Sequence, residues 1–151
     1  MTDIKSMNME ELKELMVQIG EKPFRAKQIY GWLHEHLVTS YDEMANIPKS
    51  LKEKLKDYPI TVLEELDVQT SKVDGTRKYL FRLSDGNMIE SVLMRYKYGN
   101  SVCISSQAGC RMGCRFCAST IGGLTRNLLP SEMLDQIYRI QTSIGERISN
   151  V

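Results

Sequence analysis

Between residues 109 and 118 the chain reads Gly109-Cys110-Arg111-Met112-Gly113-Cys114-Arg115-Phe116-Cys117-Ala118, which spaces three cysteines as C-x3-C-x2-C. A [4Fe-4S] cluster normally takes four thiolates, so three on one short loop leave one iron open to a ligand other than protein. Gly109 and Gly113 allow the tight backbone path that three converging sulfurs require. The competing reading is a zinc site with Cys103 as fourth ligand, although zinc modules usually pair two C-x2-4-C knuckles and only one is present here. Three buried cysteines without any ligand are disfavoured by the glycine- and arginine-rich surroundings.

The flanking residues give this loop a place in a fold. Upstream, Ser101 to Ser105 reads as a strand that feeds the loop. Downstream, Met133, Ile137, Ile140 and Ile144 recur at helical spacing from Pro130, and Gly145 follows where a left-handed cap is common, so a helix over 130–144 is predicted. The order is strand, cysteine loop, helix. Ser149, Asn150 and Val151 then read as the approach to a further strand.

Further upstream the period is two. Strands are expected at Thr61 to Ser71, Thr76 to Leu83 and Asn87 to Tyr96, separated by the hairpin signals Asp74-Gly75 and Asp85-Gly86, with Gly99-Asn100 making the last turn. Before Pro59 the pattern is helical. Leu12, Leu15, Met16 and Ile19 form one apolar face closed by Gly20, and Pro23 opens a second helix whose stripe runs from Phe24 through Trp32 to Leu37. Ser40 and Glu43 match a capping box, and Pro48 starts a helix through Leu51 and Leu55. The fold class is therefore α+β: a helical domain over residues 1–59, an antiparallel meander over 60–100, and a strand-loop-helix segment over 101–151.

With 42% hydrophobic and 26% charged residues, the composition is that of a folded soluble domain rather than a disordered chain. No apolar run approaches the ~18 residues of a membrane span, and the polar start lacks a secretory pattern, so no membrane partner and a cytoplasmic location are expected. The net charge of +1 conceals an asymmetry: residues 1–71 carry 9 basic and 13 acidic side chains, and residues 72–151 carry 11 and 6. A net +5 in the second half suits an anionic partner such as nucleic acid, and equally an ordinary solvated surface.

C-x3-C-x2-C with an aromatic before the last cysteine resembles the signature of the radical S-adenosylmethionine (SAM) superfamily. Val102-Cys103-Ile104-Ser105-Ser106-Gln107-Ala108-Gly109-Cys110 and Gly123-Leu124-Thr125-Arg126-Asn127-Leu128 narrow the resemblance to the bacterial family that methylates carbon 2 of an adenine in 23S ribosomal RNA and, in some members, transfer RNA. Phe24-Arg25-Ala26-Lys27-Gln28-Ile29 and Ile47-Pro48-Lys49-Ser50-Leu51 are similar to that family's N-terminal helical domain. The resemblance covers nearly the whole chain.

The resemblance implies two cofactors, a [4Fe-4S] cluster held by Cys110, Cys114 and Cys117, and SAM chelated at the open iron. It also implies a reducing electron donor such as flavodoxin or ferredoxin, and a methyl-cysteine intermediate. Cys103 matches the family's second catalytic cysteine, which resolves the protein–RNA adduct through a disulfide. Its position on a strand directs it into a barrel mouth or core, the alternative being a small buried hydrophobe. Glu90 matches a family acid that helps remove the adenine proton; without the resemblance it reads as a surface charge on a hairpin. Arg111, Arg115 and Arg126 are candidates for SAM or phosphate. Lys72, Arg77, Lys78, Arg82, Arg95 and Lys97 are candidates for RNA phosphates, and Tyr96 and Tyr98 for stacking on bases or for packing.

Also implied is an α/β barrel of which only the first strand-loop-helix is present, because a complete barrel takes ~250 residues. The Gly-Glu-Pro motif and the late methyl-carrying cysteine of the family are not found in these 151 residues. The chain is thus expected to be a truncated, inactive portion, forming no 2-methyladenosine by itself. Two other functions remain open: methylation of carbon 8 of the same adenine, which shares the cluster and Cys103 but is less favoured by Glu90, and a non-catalytic zinc-binding RNA module.

Overall fold

A computed structural model describes residues 2–151; Met1, where the expected helical domain begins, lies outside them. The described chain divides into two compact units that meet between Val62 and Leu63.

The first unit is helical. Helix α1 spans Met9–Gln18 and starts on a capping box, in which the Asn8 side chain accepts from the Glu10 and Glu11 amides while Glu11 accepts from the Asn8 amide. It ends in a Schellman arrangement around Gly20 (φ +73°): the Glu21 amide donates to Met16 O and the Gly20 amide to Val17 O. Helix α2, Phe24–His34, stops three residues before the predicted Leu37. Leu37 itself adopts a left-handed φ of 55°, which cannot continue a helix, and the Val38 amide turns back to Trp32 O. The Ser40–Glu43 capping box opens a single 3-10 turn, and α3 covers Lys49–Leu55 after Pro48. Leu12, Met16, Ile29, Leu33, Met44, Leu51 and Leu55 are fully buried together as this unit's core.

The second unit holds the sheet. Strands β1 (Glu64–Thr70), β2 (Arg77–Arg82), β3 (Met88–Tyr96) and β4 (Gly99–Cys103) form the antiparallel meander. Strands β5 (Gln107–Gly109) and β6 (Leu124–Asn127) form a separate antiparallel pair, helix α4 covers Pro130–Ile144, and β7 (Ile148–Asn150) adds parallel to β4. The main sheet order is β1-β2-β3-β4-β7, so β4, α4 and β7 make one β-α-β unit. The boundary expected near residue 100 does not separate two bodies, because meander and β-α-β unit share this sheet and one core built on Phe81, Leu93, Val102 and Ile140.

Three boundaries differ from expectation for identifiable reasons. The last meander turn is Lys97-Tyr98 rather than Gly99-Asn100, since Tyr96 and Gly99 are already paired. β1 begins three residues late because the Leu63 amide donates to Asp135 on α4 at 2.7 Å. β4 ends at Cys103 because the next peptide groups serve another partner: the Ser105 amide donates to Gln136 Oε1, and Gln136 Nε2 donates to Ser105 O.

Helix α4 is the larger departure. The predicted apolar stripe is only half right: Ile140 is buried and Met133 and Ile144 pack partly against the core, but the other buried positions are the polar Ser131, Glu132, Asp135 and Gln136. The helix docks on hydrogen bonds as much as on apolar area. No helix among the described residues is long and apolar enough to cross a membrane.

Candidate functional site

The cysteine loop is closed at its base by the β5–β6 pair, in a stretch whose sequence reads as loop. The ladder pairs Gln107 with Asn127 and Ala108 with Arg126, and Gly109 with Leu124 after a bulge. At the neck the Cys110 amide donates to Gly123 O at 3.0 Å. The backbones are so close that a Cβ on Gly109, which has φ +74°, would lie 2.0 Å from that same oxygen. Only glycine fits there.

Inside the loop, the Cys117 amide donates to Cys114 O at 3.1 Å, and the Thr120 hydroxyl lies 3.2 Å from Cys114 O and 2.9 Å from Cys117 O. The Met112 amide donates to Cys110 Sγ at 3.5 Å. Cys110, Cys114 and Cys117 are half-buried free thiols, whereas Met112, Phe116 and Ile121 project outward. Among the described residues no three His, Cys, Asp or Glu side chains are grouped so as to hold a metal ion, so neither the three loop sulfurs nor all four cysteines converge. What fits a cluster is the chemistry of the donor set: three soft thiols on one loop with no histidine or carboxylate among residues 109–118.

Glu90 and Cys103 come from adjacent strands. Val92 on β3 is the register partner of Cys103, and Glu90 lies two residues from Val92, so the Glu90 and Cys103 side chains share one face of the sheet as diagonal neighbours. The opposite face carries Val102, 1% exposed, in the core. Cys103 is therefore exposed on the open face, which corrects the alternative of a small buried hydrophobe. Glu90 and Cys103 line an open concavity together with Gly109 and Ala118, the residues that bracket the three loop cysteines. Glu90 pairs with Lys78 at 3.0 Å, both side chains being about half exposed.

Of the basic candidates, Lys72 and Lys97 are exposed and Arg77 is half-buried. Lys78, Arg82 and Arg95 are exposed but ion-paired, to Glu90, Glu64 and Glu146. Tyr96 and Tyr98 stack on each other, 5.0 Å apart and 8° from parallel, at the exposed β3–β4 turn. Arg111 and Arg115 are exposed on the loop. Arg126 departs from its expected role. Its guanidinium donates to Asp85 at 2.6 Å and, as a fork, to both carboxylate oxygens of Glu132 at 2.7 and 2.8 Å. These bonds tie the strand after the cysteine loop to the β2–β3 turn and to the first turn of α4, and commit Arg126 to carboxylates rather than to RNA or SAM.

The electrostatics follow this clamp. The hydrogen bond from Arg126, with that of the Asn87 amide, holds the Asp85 carboxyl down at about 2. For Glu132, burial pushes upward, yet the bonds from Arg126 and from the Leu129 amide leave it below the ordinary glutamate value. Arg126 is itself held more firmly protonated by Glu132 and Asp85.

Gln136 and Ser105 meet behind Glu90 and Cys103; an uncharged residue on a helix face that could equally be solvated carries no signal of such a role.

Residues 2–60 match the family model described as the ribosomal RNA large subunit methyltransferase N-terminal domain. The whole chain is 64% identical to 43% of the probable dual-specificity RNA methyltransferase RlmN of Lachnospira eligens, and 99% of it is 62% identical to 42% of the protein of that name from Lachnoclostridium phytofermentans. In three dimensions 99% of the chain superposes, with TM-score 0.89 and 37% identity, on 45% of a crystal structure of a radical SAM methyltransferase from Sphaerobacter thermophilus. The chain thus spans less than half the length of the relatives it matches. By sequence and by fold, the chain is similar to part of the probable dual-specificity RNA methyltransferases RlmN, and its residues 2–60 match the N-terminal domain model of the ribosomal RNA large subunit methyltransferases.

Proposed function

We propose that the full-length protein is a radical SAM methyltransferase that places a methyl group on carbon 2 of an adenine in 23S ribosomal RNA and in transfer RNA. The observation that carries this reading is the meeting of Glu90 and Cys103 on one open sheet face, in a concavity bracketed by both ends of the cysteine loop. Cys110, Cys114 and Cys117 would hold a [4Fe-4S] cluster with one iron open to SAM, the pair together supplying the radical chemistry that methylating an electron-poor aromatic carbon demands. The Glu90 carboxylate accepts a proton from a base seated in the concavity, with Lys78 beside it at 3.0 Å to orient it. The accessible thiol of Cys103 would resolve the protein–RNA adduct by attacking the sulfur of a second cysteine of the full-length protein: the disulfide forms as that sulfur's bond to carbon breaks, and the electron pair stays with the methylated base, which takes up a proton.

Exposed Lys72 and Lys97, and Lys78 and Arg95 after exchanging carboxylate for phosphate, supply sequence-independent attraction to the RNA backbone. The low-potential electron comes from a flavodoxin or ferredoxin, which places the enzyme in the reducing cytoplasm.

Anaerobic reconstitution of the full-length protein should yield about four irons per chain, lost in the Cys110, Cys114, Cys117 triple-Ala variant. Incubation with SAM, reductant and 23S ribosomal RNA should then give 2-methyladenosine. Methyl on carbon 8 instead would transfer the protein to the alternative reaction, and zinc retained in place of iron would overturn the catalytic reading.

A further inference from the structure

Behind the face that carries Glu90 and Cys103 lies a fully enclosed amide. Gln136, 0% exposed on α4, uses both ends of its side chain: Oε1 accepts from the Ser91 hydroxyl at 2.7 Å and from the Ser105 amide at 2.8 Å, while Nε2 donates to Ser105 O at 2.9 Å and to Glu132 O at 3.1 Å. Ser91 is 1% exposed and adjacent to Glu90; Ser105 is two residues beyond Cys103. The Ser105 hydroxyl donates to the backbone carbonyl of Glu90 itself at 2.7 Å, closing the circuit. A side-chain amide that satisfies an N–H and a C=O of one residue replaces a strand partner there, which is why β4 stops at Cys103 and the chain can turn toward the cysteine loop.

We propose that Gln136 is a positioning residue for methyl transfer. By locking Ser105 to Ser91, it sets the separation of the Glu90 carboxylate and the Cys103 thiol across the concavity. The assignment rests on the catalytic roles proposed above for those two residues. Because Gln136 is itself fully enclosed, its amide depends on these protein partners, and losing one leaves a buried polar atom unpaired. A misplacement of about 1 Å at a reacting group costs on the order of a hundredfold in rate, so a frame of this kind affects turnover before it affects binding.

The test uses the cluster-loaded full-length protein and two variants. Gln136→Met keeps the length of the side chain and removes its four hydrogen bonds; Ser105→Ala removes only the link to Glu90 and serves as the probe should the first variant not fold. The expected result is a fall in kcat for RNA methylation of at least about tenfold in Gln136→Met and a smaller fall in Ser105→Ala. KM for SAM and iron per chain stay at the wild-type level in both. Hydrogen exchange should quicken in Gln136→Met at residues 104–107 and 89–92 while the β1–β2 amides keep their protection. An unchanged kcat in the folded variants overturns the proposal. So does a loss of kcat accompanied by quicker exchange across the entire sheet, which marks a residue that only stabilises the fold. A wild-type protein that binds its cluster yet methylates no adenine overturns instead the functional reading, and the exchange pattern then still decides whether Gln136 holds the Ser105 frame.

Discussion

Gly109→Ala in the full-length protein is expected to reduce iron and acid-labile sulfide after anaerobic reconstitution to less than about a tenth of wild type. Two costs coincide at this position. A left-handed backbone at φ +74° costs an alanine roughly 1–2 kcal/mol, and the new methyl carbon must clear a backbone oxygen now 2.0 Å from where it would sit, adding roughly 1–3 kcal/mol of overpacking. That oxygen, Gly123 O, also receives the Cys110 amide, so relieving the clash parts the neck of the loop and moves the first cysteine. Gly113→Ala provides the comparison. It has a similar φ of +68° but nothing within 4 Å of the added carbon, so it carries the backbone cost alone and should retain most of its iron. Equal losses in both variants would show that the β5–β6 neck does not govern the cluster.

Arg126→Met is expected to destabilise the protein by about 2–3 kcal/mol, read as a fall of roughly 5 °C in thermal midpoint. The side chain is 30% exposed, which moderates the effect, but its loss strands the Glu132 carboxylate, 3% exposed, without its cationic partner. Arg126→Lys should recover only part, since an ammonium cannot bridge both oxygens of Glu132 and Asp85 together as the guanidinium fork does. The pH dependence has a definite sign. Both carboxyls titrate lower in the folded protein than the ordinary values of 3.8 and 4.5, so the clamp contributes fully above those values and is lost as pH falls through the folded ones, about 2 for Asp85. Melting curves of wild type and Arg126→Met should therefore differ most near neutrality and converge as pH falls toward 2. A constant difference down to that pH would mean that the carboxylates are not what Arg126 holds.

The spacing of Cys110, Cys114 and Cys117 reads as a soft-metal loop because thiol chemistry and loop length constrain each other within eight residues, and the structure adds the β5–β6 neck that closes it. The helices of the first unit and the hairpin turns at Asp74-Gly75 and Asp85-Gly86 were likewise legible, as capping residues and turn glycines act on their immediate neighbours. Family resemblance singled out Glu90 and Cys103. Their meeting is a matter of register, since Val92 must pair with Cys103 for two residues thirteen apart to share a face, and no local pattern encodes that pairing.

What the tertiary structure alone decided lies at long sequence separation. Arg126, read as a phosphate contact, became a clamp because folding brings Asp85, 41 residues away, to its Nε. The apolar period of α4 concealed a polar face whose Asp135 and Gln136 find their partners 72 and 31 to 45 residues distant. A buried hydrogen bond needs its complement in space rather than in sequence. The chain by itself therefore determined which elements form and which donor atoms its cysteine loop carries, while the packing of α4 on the sheet determined which polar side chains brace the strands beside that loop.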